Sequence, residues 1–148
     1  MIDWNLFSTP APLINMAARA FARLGDRQLK AMGFGVGHLP VLYLLRDGAA
    51  MSQKELARFA KVEQPSMAQT LARMERDGLV RRVPDPNDGR SSLVSLTEEA
   101  LAKTPAVREI LRQGSEQALA GFSQEEVATL CALLQRLNRN LDLMAVEE

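Results

Sequence analysis

SQKELARFAKVEQPSMAQTLARMERDGLVRRVPDPNDGRSSLVSLT, residues 52–97, holds its elements in an order that decides the fold. Ser52 followed three residues on by Glu55 is a capping box, which predicts a short helix with Leu56, Phe59 and Ala60 facing inward. Lys61, Val62 and Glu63 make a turn, and Pro65 suits the first position of the next helix, with Gln64 as its cap. In that helix Met67, Leu71 and Met74 recur at helical spacing and predict the buried side. Pro65, Ser66, Ala68, Gln69, Ala72 and Arg73 then point outward. Gly78 stops the helix, and Leu79 and Val80 lead into the first strand of a hairpin. Pro84-Asp85-Pro86-Asn87-Asp88-Gly89 is its turn, because proline fixes φ and Asn or Asp-Gly favours tight reversals. Ser92, Val94 and Leu96 share one face of the return strand, and Thr97 caps the helix that follows.

A helix with a small, polar outer face fits the major groove of DNA, and a hairpin beside it reaches the backbone or the minor groove. Gln69 is the leading candidate for base reading, since an amide makes paired contacts to adenine; its alternative is a solvated side chain. Gln64 and Ser66 lie at the helix N-terminus, where free N–H groups and small polar side chains suit phosphate or base edges. Pro65 is placed to touch a thymine methyl, and Arg73, at the far end of the face, to clamp phosphate. Arg81 and Arg82 alternate on a strand, so one at most faces DNA and the other braces the hairpin.

The rest of the chain sets limits on this picture. Its 148 residues predict one domain, or one domain with a helical extension for association, with 47% hydrophobic, 24% charged and only 5% aromatic residues. No apolar run approaches the ~20 residues of a membrane span, and MIDWNLFSTP lacks a basic segment followed by an apolar one. The single cysteine, Cys131, excludes an intrachain disulfide and fits a reducing cytoplasm. The formal net charge is +0, yet residues 52–96 carry eight Lys/Arg against six Asp/Glu, and residues 97–148 five against nine. Specific geometry, not a basic blanket, must therefore carry nucleic-acid binding. HExxH, GxSxG and Cys/His sets with metal-ligand spacing are absent, so no enzyme, metal site or cofactor is expected. Gly33, Gly35 and Gly37 do not follow a strand, which argues against a nucleotide loop.

Outside the module the chain reads as helices. Pro10 and Pro12 break the N-terminal arm, and Leu13, Ala17, Ala20, Leu24 and Ala31 keep helical spacing as far as Met32. This wide stripe fits either burial within one subunit or a shared dimer interface, and the acidic helical C-terminus favours the second. Leu39, Leu42, Tyr43 and Leu45 line a short helix that Gly48 ends. After Thr97, acids in the first turn favour a helix that Pro105 should kink or interrupt. Ser123 with Glu126 opens a last helix, through about Met144, with Val127, Leu130, Cys131, Leu134, Leu137, Leu141 and Met144 as its apolar stripe. Cys131 on that stripe predicts a buried, inert thiol.

From Leu39 onward the chain resembles the MarR family of winged helix-turn-helix regulators, through LARMERDGLVRRVPDPNDGRSSLVSLTEEA. Asp88 and Arg90 match the family's Asp-x-Arg wing motif; Ala100 departs from it, standing where a glycine usually follows the glutamates. The resemblance implies a mainly α fold with a β-hairpin wing. Residues 33–97 would form the DNA-binding lobe, and residues 1–32 and 98–148 the dimerisation helices. It implies a homodimer on a pseudopalindromic operator, with Arg90 in the minor groove and Asp88 orienting it or pairing with it.

Such regulators often release double-stranded DNA when a small aromatic acid or phenol enters a cleft beside the lobe. Asn15 and Arg19 would pair its carboxylate, His38 stands near the cleft, and Trp4 and Phe7 would close it. Plainer alternatives are solvation or intersubunit pairing for Asn15 and Arg19, and a capping role for His38. The expectation is thus a cytoplasmic repressor relieved by a ligand. A constitutive or architectural DNA binder and a winged-helix protein-interaction module are the alternatives.

Overall fold

The computed structural model describes residues 5 and 7–146. Its elements run α1 (Pro10–Leu29), α2 (Leu39–Leu44), β1 (Ala50–Met51), α3 (Gln53–Ala60), α4 (Gln64–Arg76), β2 (Val80–Asp85), β3 (Asp88–Leu96), α5 (Glu98–Ala118) and α6 (Gln124–Val146). The fold is mainly helical with one small antiparallel sheet, as the sequence predicts. Short 3-10 turns follow α1, precede α2 and follow α2.

Capping decides where the central helices begin and end. Ser52 Oγ accepts the Glu55 N–H at 3.2 Å while Glu55 Oε1 accepts the Ser52 N–H at 3.3 Å. α3 closes on Lys61, which adopts the left-handed conformation at φ 58 so that the Val62 N–H reaches the Ala57 carbonyl. The start of α4 corrects the expectation. Glu63 is the cap, Gln64 the first helical residue and Pro65 the second. No backbone N–H in the first turn has an intrahelical acceptor, so a proline marks a helix start only to within a residue. α4 ends in a Schellman motif: Leu79 N–H to Met74 O at 2.8 Å and Gly78 N–H to Glu75 O at 3.1 Å, with Gly78 at φ 74.

The sheet has the order β1-β3-β2. β2 and β3 form the hairpin, from Val80↔Leu96 at its root to Asp85↔Asp88 at the Pro86–Asn87 turn. β1 adds Ala50↔Ser95 and Met51↔Val94. Two residues are too few to show alternation, so the sequence pattern does not announce β1.

One apolar cluster joins the elements: Leu29, Val41, Leu45, Leu56, Leu71, Met74 and Val94 are fully buried within it. Met67 lies in the same cluster, so all three predicted inward residues of α4 are inside. Tyr43 and Phe59, expected inward, are exposed instead; Val41 and Ala57 are buried in their elements. Each aromatic ring lies under a neighbouring guanidinium, Arg46 at 3.9 Å from the Tyr43 ring and Arg58 at 4.8 Å from Phe59. Gly25 lets α1 approach the turn before α2, where an added Cβ would stand 2.5 Å from Val36 Cγ2.

Thr97 joins the hairpin to α5. Its Oγ1 donates to the Gly78 carbonyl at 2.7 Å and accepts the Ala100 N–H at 3.2 Å. Ala100 is fully buried at this joint. Pro105 does not interrupt α5, which continues to Ala118. It removes one hydrogen bond, a loss that a helix of 21 residues absorbs.

Residues 1–111 and residues 112–148 are two compact units, and the cluster above belongs to the first. In the second, Ser123 N–H meets Glu126 Oε1 at 2.9 Å and Glu126 N–H meets Ser123 Oγ at 3.0 Å, the predicted capping box. On α6, Val127 and Leu137 are half-buried, while Leu130, Leu134, Leu141 and Met144 are exposed. Cys131 is exposed too, against the expected burial, because the stripe it belongs to faces outward within the chain. On α1 the same holds of Leu13, Met16 and Phe21.

Leu71→Ala should cost about 2–5 kcal/mol, because the site is fully buried between helices and sheet. Chemical denaturation of the variant should show a lower midpoint at unchanged slope.

Candidate nucleic-acid interface

Burying one face of α4 decides what its other face offers. With Met67, Leu71 and Met74 inside, Gln64, Pro65, Ser66, Gln69, Ala72 and Arg73 are exposed, and Ala68 is half-buried. Gln69 and Arg73 are four residues apart, one turn along the same stripe. Among the described residues, neither side chain makes a hydrogen bond or ion pair to another. Small residues between them leave the helix narrow enough to approach a groove floor. Gln64, Pro65 and Ser66 lie in the first turn, where backbone N–H groups point outward.

Two aspartate carboxylates order the tip of the wing by accepting backbone N–H groups. Asp88 Oδ1 accepts the Arg90 N–H at 3.0 Å, and Asp85 Oδ1 accepts the Asn87 N–H at 2.9 Å. Of the two roles expected for Asp88, the geometry favours orientation: the carboxylate holds the Arg90 backbone, and no ion pair joins the two side chains. Arg90 is exposed near the hairpin tip. The two strand arginines divide as their alternation requires. Arg82 Nε lies 3.7 Å from Glu75 Oε2 on α4, while Arg81 Nε meets Ser95 Oγ at 3.4 Å across the sheet.

The residues expected at a ligand cleft do not converge. Asn15 and Arg19 are exposed on α1. His38 is a cap: its Nδ1 accepts the Gly35 N–H at 3.1 Å, and its ring stands edge-on to Phe34 at 6.2 Å. Phe7 is exposed, and Trp4 lies outside the described residues. A groove of about 310 Å³ opens elsewhere, between α2 and α5, and none of these residues lines it. Leu39, Leu42, Val107 and Leu111 form its apolar wall, and Tyr43, Arg46, Thr104 and Arg108 its polar rim. A second hollow of about 270 Å³ shares Arg46, Thr104 and Arg108. The sequence held one sign of this groove, since Thr104, Arg108 and Leu111 recur at helical spacing on α5. Among the described residues no His, Cys, Asp and Glu cluster suits a metal ion, and no helix is long and apolar enough to cross a membrane.

A buried-face helix in a helix-turn-helix, followed at once by an ordered β-hairpin, defines a winged helix-turn-helix protein. The model of the MarR family matches residues 32–91. YwoH, an uncharacterized HTH-type transcriptional regulator of Bacillus subtilis, is 35% identical over 113 residues, 76% of this chain and 82% of that protein. A mutant MarR from E. coli complexed with operator DNA matches with a TM-score of 0.82 at 27% identity, over 93% of this chain and 99% of that one. A probable transcriptional regulator from Pseudomonas aeruginosa also reaches 0.82, at 28% identity, over 90% and 99%. The chain belongs to the MarR family. It is a DNA-binding transcriptional regulator and not an enzyme.

His38 gives the fold a pH dependence of definite sign. Burial lowers its pKa below 6.5, and Arg73 lowers it further, against Asp77 and Asp26, which raise it. The unfolded chain therefore takes up this proton first, so the stabilisation is complete above pH 6.5 and is lost as pH falls through the folded value. Protonating Nδ1 also removes the acceptor for Gly35. Thermal unfolding of the wild type should show a falling midpoint between about pH 7 and 5. His38→Gln should flatten that fall, since His38 is the sole histidine.

Proposed function

We propose that the chain is a homodimeric cytoplasmic repressor. It reads a pseudopalindromic operator with α4 and the wing, and a small organic acid or phenol releases it. The observation that carries the DNA part is the outer face of α4, where Gln69 and Arg73 stand exposed and unpaired beside the ordered wing. Gln69 reads a base edge, Gln64, Pro65 and Ser66 approach the groove at the helix N-terminus, and Arg73 holds phosphate. Arg90 enters the minor groove from the wing with Asp88 shaping its backbone, which favours narrow A·T-rich DNA. E. coli MarR, a structural relative, is complexed with operator DNA, which supports the same use here.

The exposed apolar stripes of α1 and α6 support the dimer. Phe21 on α1 is 51% exposed and Met144 on α6 is 64% exposed, an unusual cost for a free monomer. In this reading residues 1–32 and 98–148 pair the subunits, and residues 33–97 bind DNA. Two recognition helices then meet successive major grooves about one turn, roughly 34 Å, apart.

The groove between α2 and α5 is the effector site. Its apolar wall takes an aromatic body, and Arg46 and Arg108 take an acid group, since guanidinium matches carboxylate geometry. A ligand that favours one spacing of the recognition helices lowers DNA affinity by its differential binding energy.

Gln69→Ala and Arg90→Ala test the DNA reading on a duplex selected from a random library by the wild-type protein. Gln69→Ala should lose about 1–3 kcal/mol and relax preference at one base position; Arg90→Ala should weaken binding and relax an A·T preference. Unchanged sequence preference in both variants would remove them from the readout. In the same assay a panel of aromatic carboxylates and phenols should contain a compound that weakens binding about 5–150-fold, an effect that Arg108→Ala abolishes. A flat response across the panel would favour a constitutive binder.

A further inference from the structure

Recognition helix and wing must meet DNA together, in different grooves, so the angle between them matters as much as the contacts themselves. The covalent link between them is short, Asp77-Gly78-Leu79, and it turns through the positive φ of Gly78. The root of the wing is three-stranded as far as the Arg82↔Val94 pair, where β1 still adds Met51; beyond it a two-stranded hairpin runs out, and Val83, Pro84 and Arg90 are exposed. A two-stranded hairpin has little stiffness of its own, so its direction is set where it leaves the lobe.

One side-chain tie crosses from α4 to β2 at that point, the Arg82–Glu75 pair at 3.7 Å. Arg82 is the more covered partner, at 29% exposure, and lies on the strand face opposite Arg81. Two neighbouring arginines are engaged elsewhere. Arg76 pairs with Asp77 at 3.5 Å, and Arg81 meets Ser95.

We propose that Glu75 is a positioning residue for DNA binding: through Arg82 it holds the wing at the angle that lets Arg90 and the outer face of α4 engage at once. This rests on the reading of Arg90 as the wing's DNA contact. The role has a sign that simple electrostatics does not share. Removing a carboxylate beside a DNA-binding face should strengthen binding to a polyanion. Removing a positioning group should weaken it.

The test is fluorescence anisotropy on the selected duplex at several salt concentrations, with Glu75→Gln, Arg82→Gln, Arg90→Ala and the Glu75→Gln/Arg90→Ala double variant. Glu75→Gln should bind about 3–10-fold more weakly with an unchanged salt slope, because it deletes no phosphate contact. Arg82→Gln should behave alike; a slope reduced by about one would instead make Arg82 a direct phosphate contact and overturn the proposal. In the Arg90→Ala background Glu75→Gln should cause no further loss. If Arg90→Ala weakens binding while Glu75→Gln binds as tightly as wild type or more tightly, the positioning role is wrong and the wing reading stands. If Arg90→Ala itself has no effect, the wing reading fails and this inference fails with it. Matching thermal midpoints separate either result from misfolding.

Discussion

The burial of Met67, Leu71 and Met74 is the constraint on which the rest depends. These three residues hold one face of α4 in the apolar cluster that also contains Leu45, Leu56 and Val94. A helix that buries a stripe has no freedom to choose which residues it shows to solvent. Gln69 and Arg73 are presented because Leu71 and Met74 are not. In the proposed reading, the side chains that meet DNA are therefore held in place by apolar contacts that never touch it.

The same economy governs the joints. Gly78 ends α4 and starts the turn into the wing, and its carbonyl receives the Thr97 hydroxyl that also caps α5. One threonine thus ties the end of the recognition helix to the start of the helix that walls the groove. A ligand held between α2 and α5 would act on an element bonded directly to the root of the wing. Two hydrogen bonds, from Ala100 N–H to Thr97 Oγ1 and from Thr97 Oγ1 to the Gly78 carbonyl, link the start of α5 to the end of α4.

Much of this was legible from residue pattern. The capping boxes at Ser52 and Ser123, the inward stripe of α4, the hairpin turn and the Thr97 cap follow from local chemistry, and local chemistry was enough. Errors fell where tertiary context competes. Tyr43 and Phe59 are apolar enough to suggest burial, yet each is satisfied outside by a stacked arginine. Cys131 sits on an apolar stripe that faces outward within the chain, and a stripe alone does not say whether its cover comes from the same chain. His38 caps its own turn, one of the two readings its place in the sequence leaves open, whereas the groove between α2 and α5 brings together residues some sixty positions apart. No local pattern encodes that meeting. Alternation on β2 shows that one of Arg81 and Arg82 braces the hairpin, but nothing in the sequence picks Arg82 or joins it to Glu75.

The central claim is that a specific DNA-reading face exists on a chain whose formal charge is +0. It is tested most directly by fluorescence anisotropy on the DNA upstream of its own gene, against a scrambled duplex, at fixed physiological salt. A preference of about 10³-fold or more for the upstream DNA is the expected result. Equal, weak binding to both duplexes would contradict it.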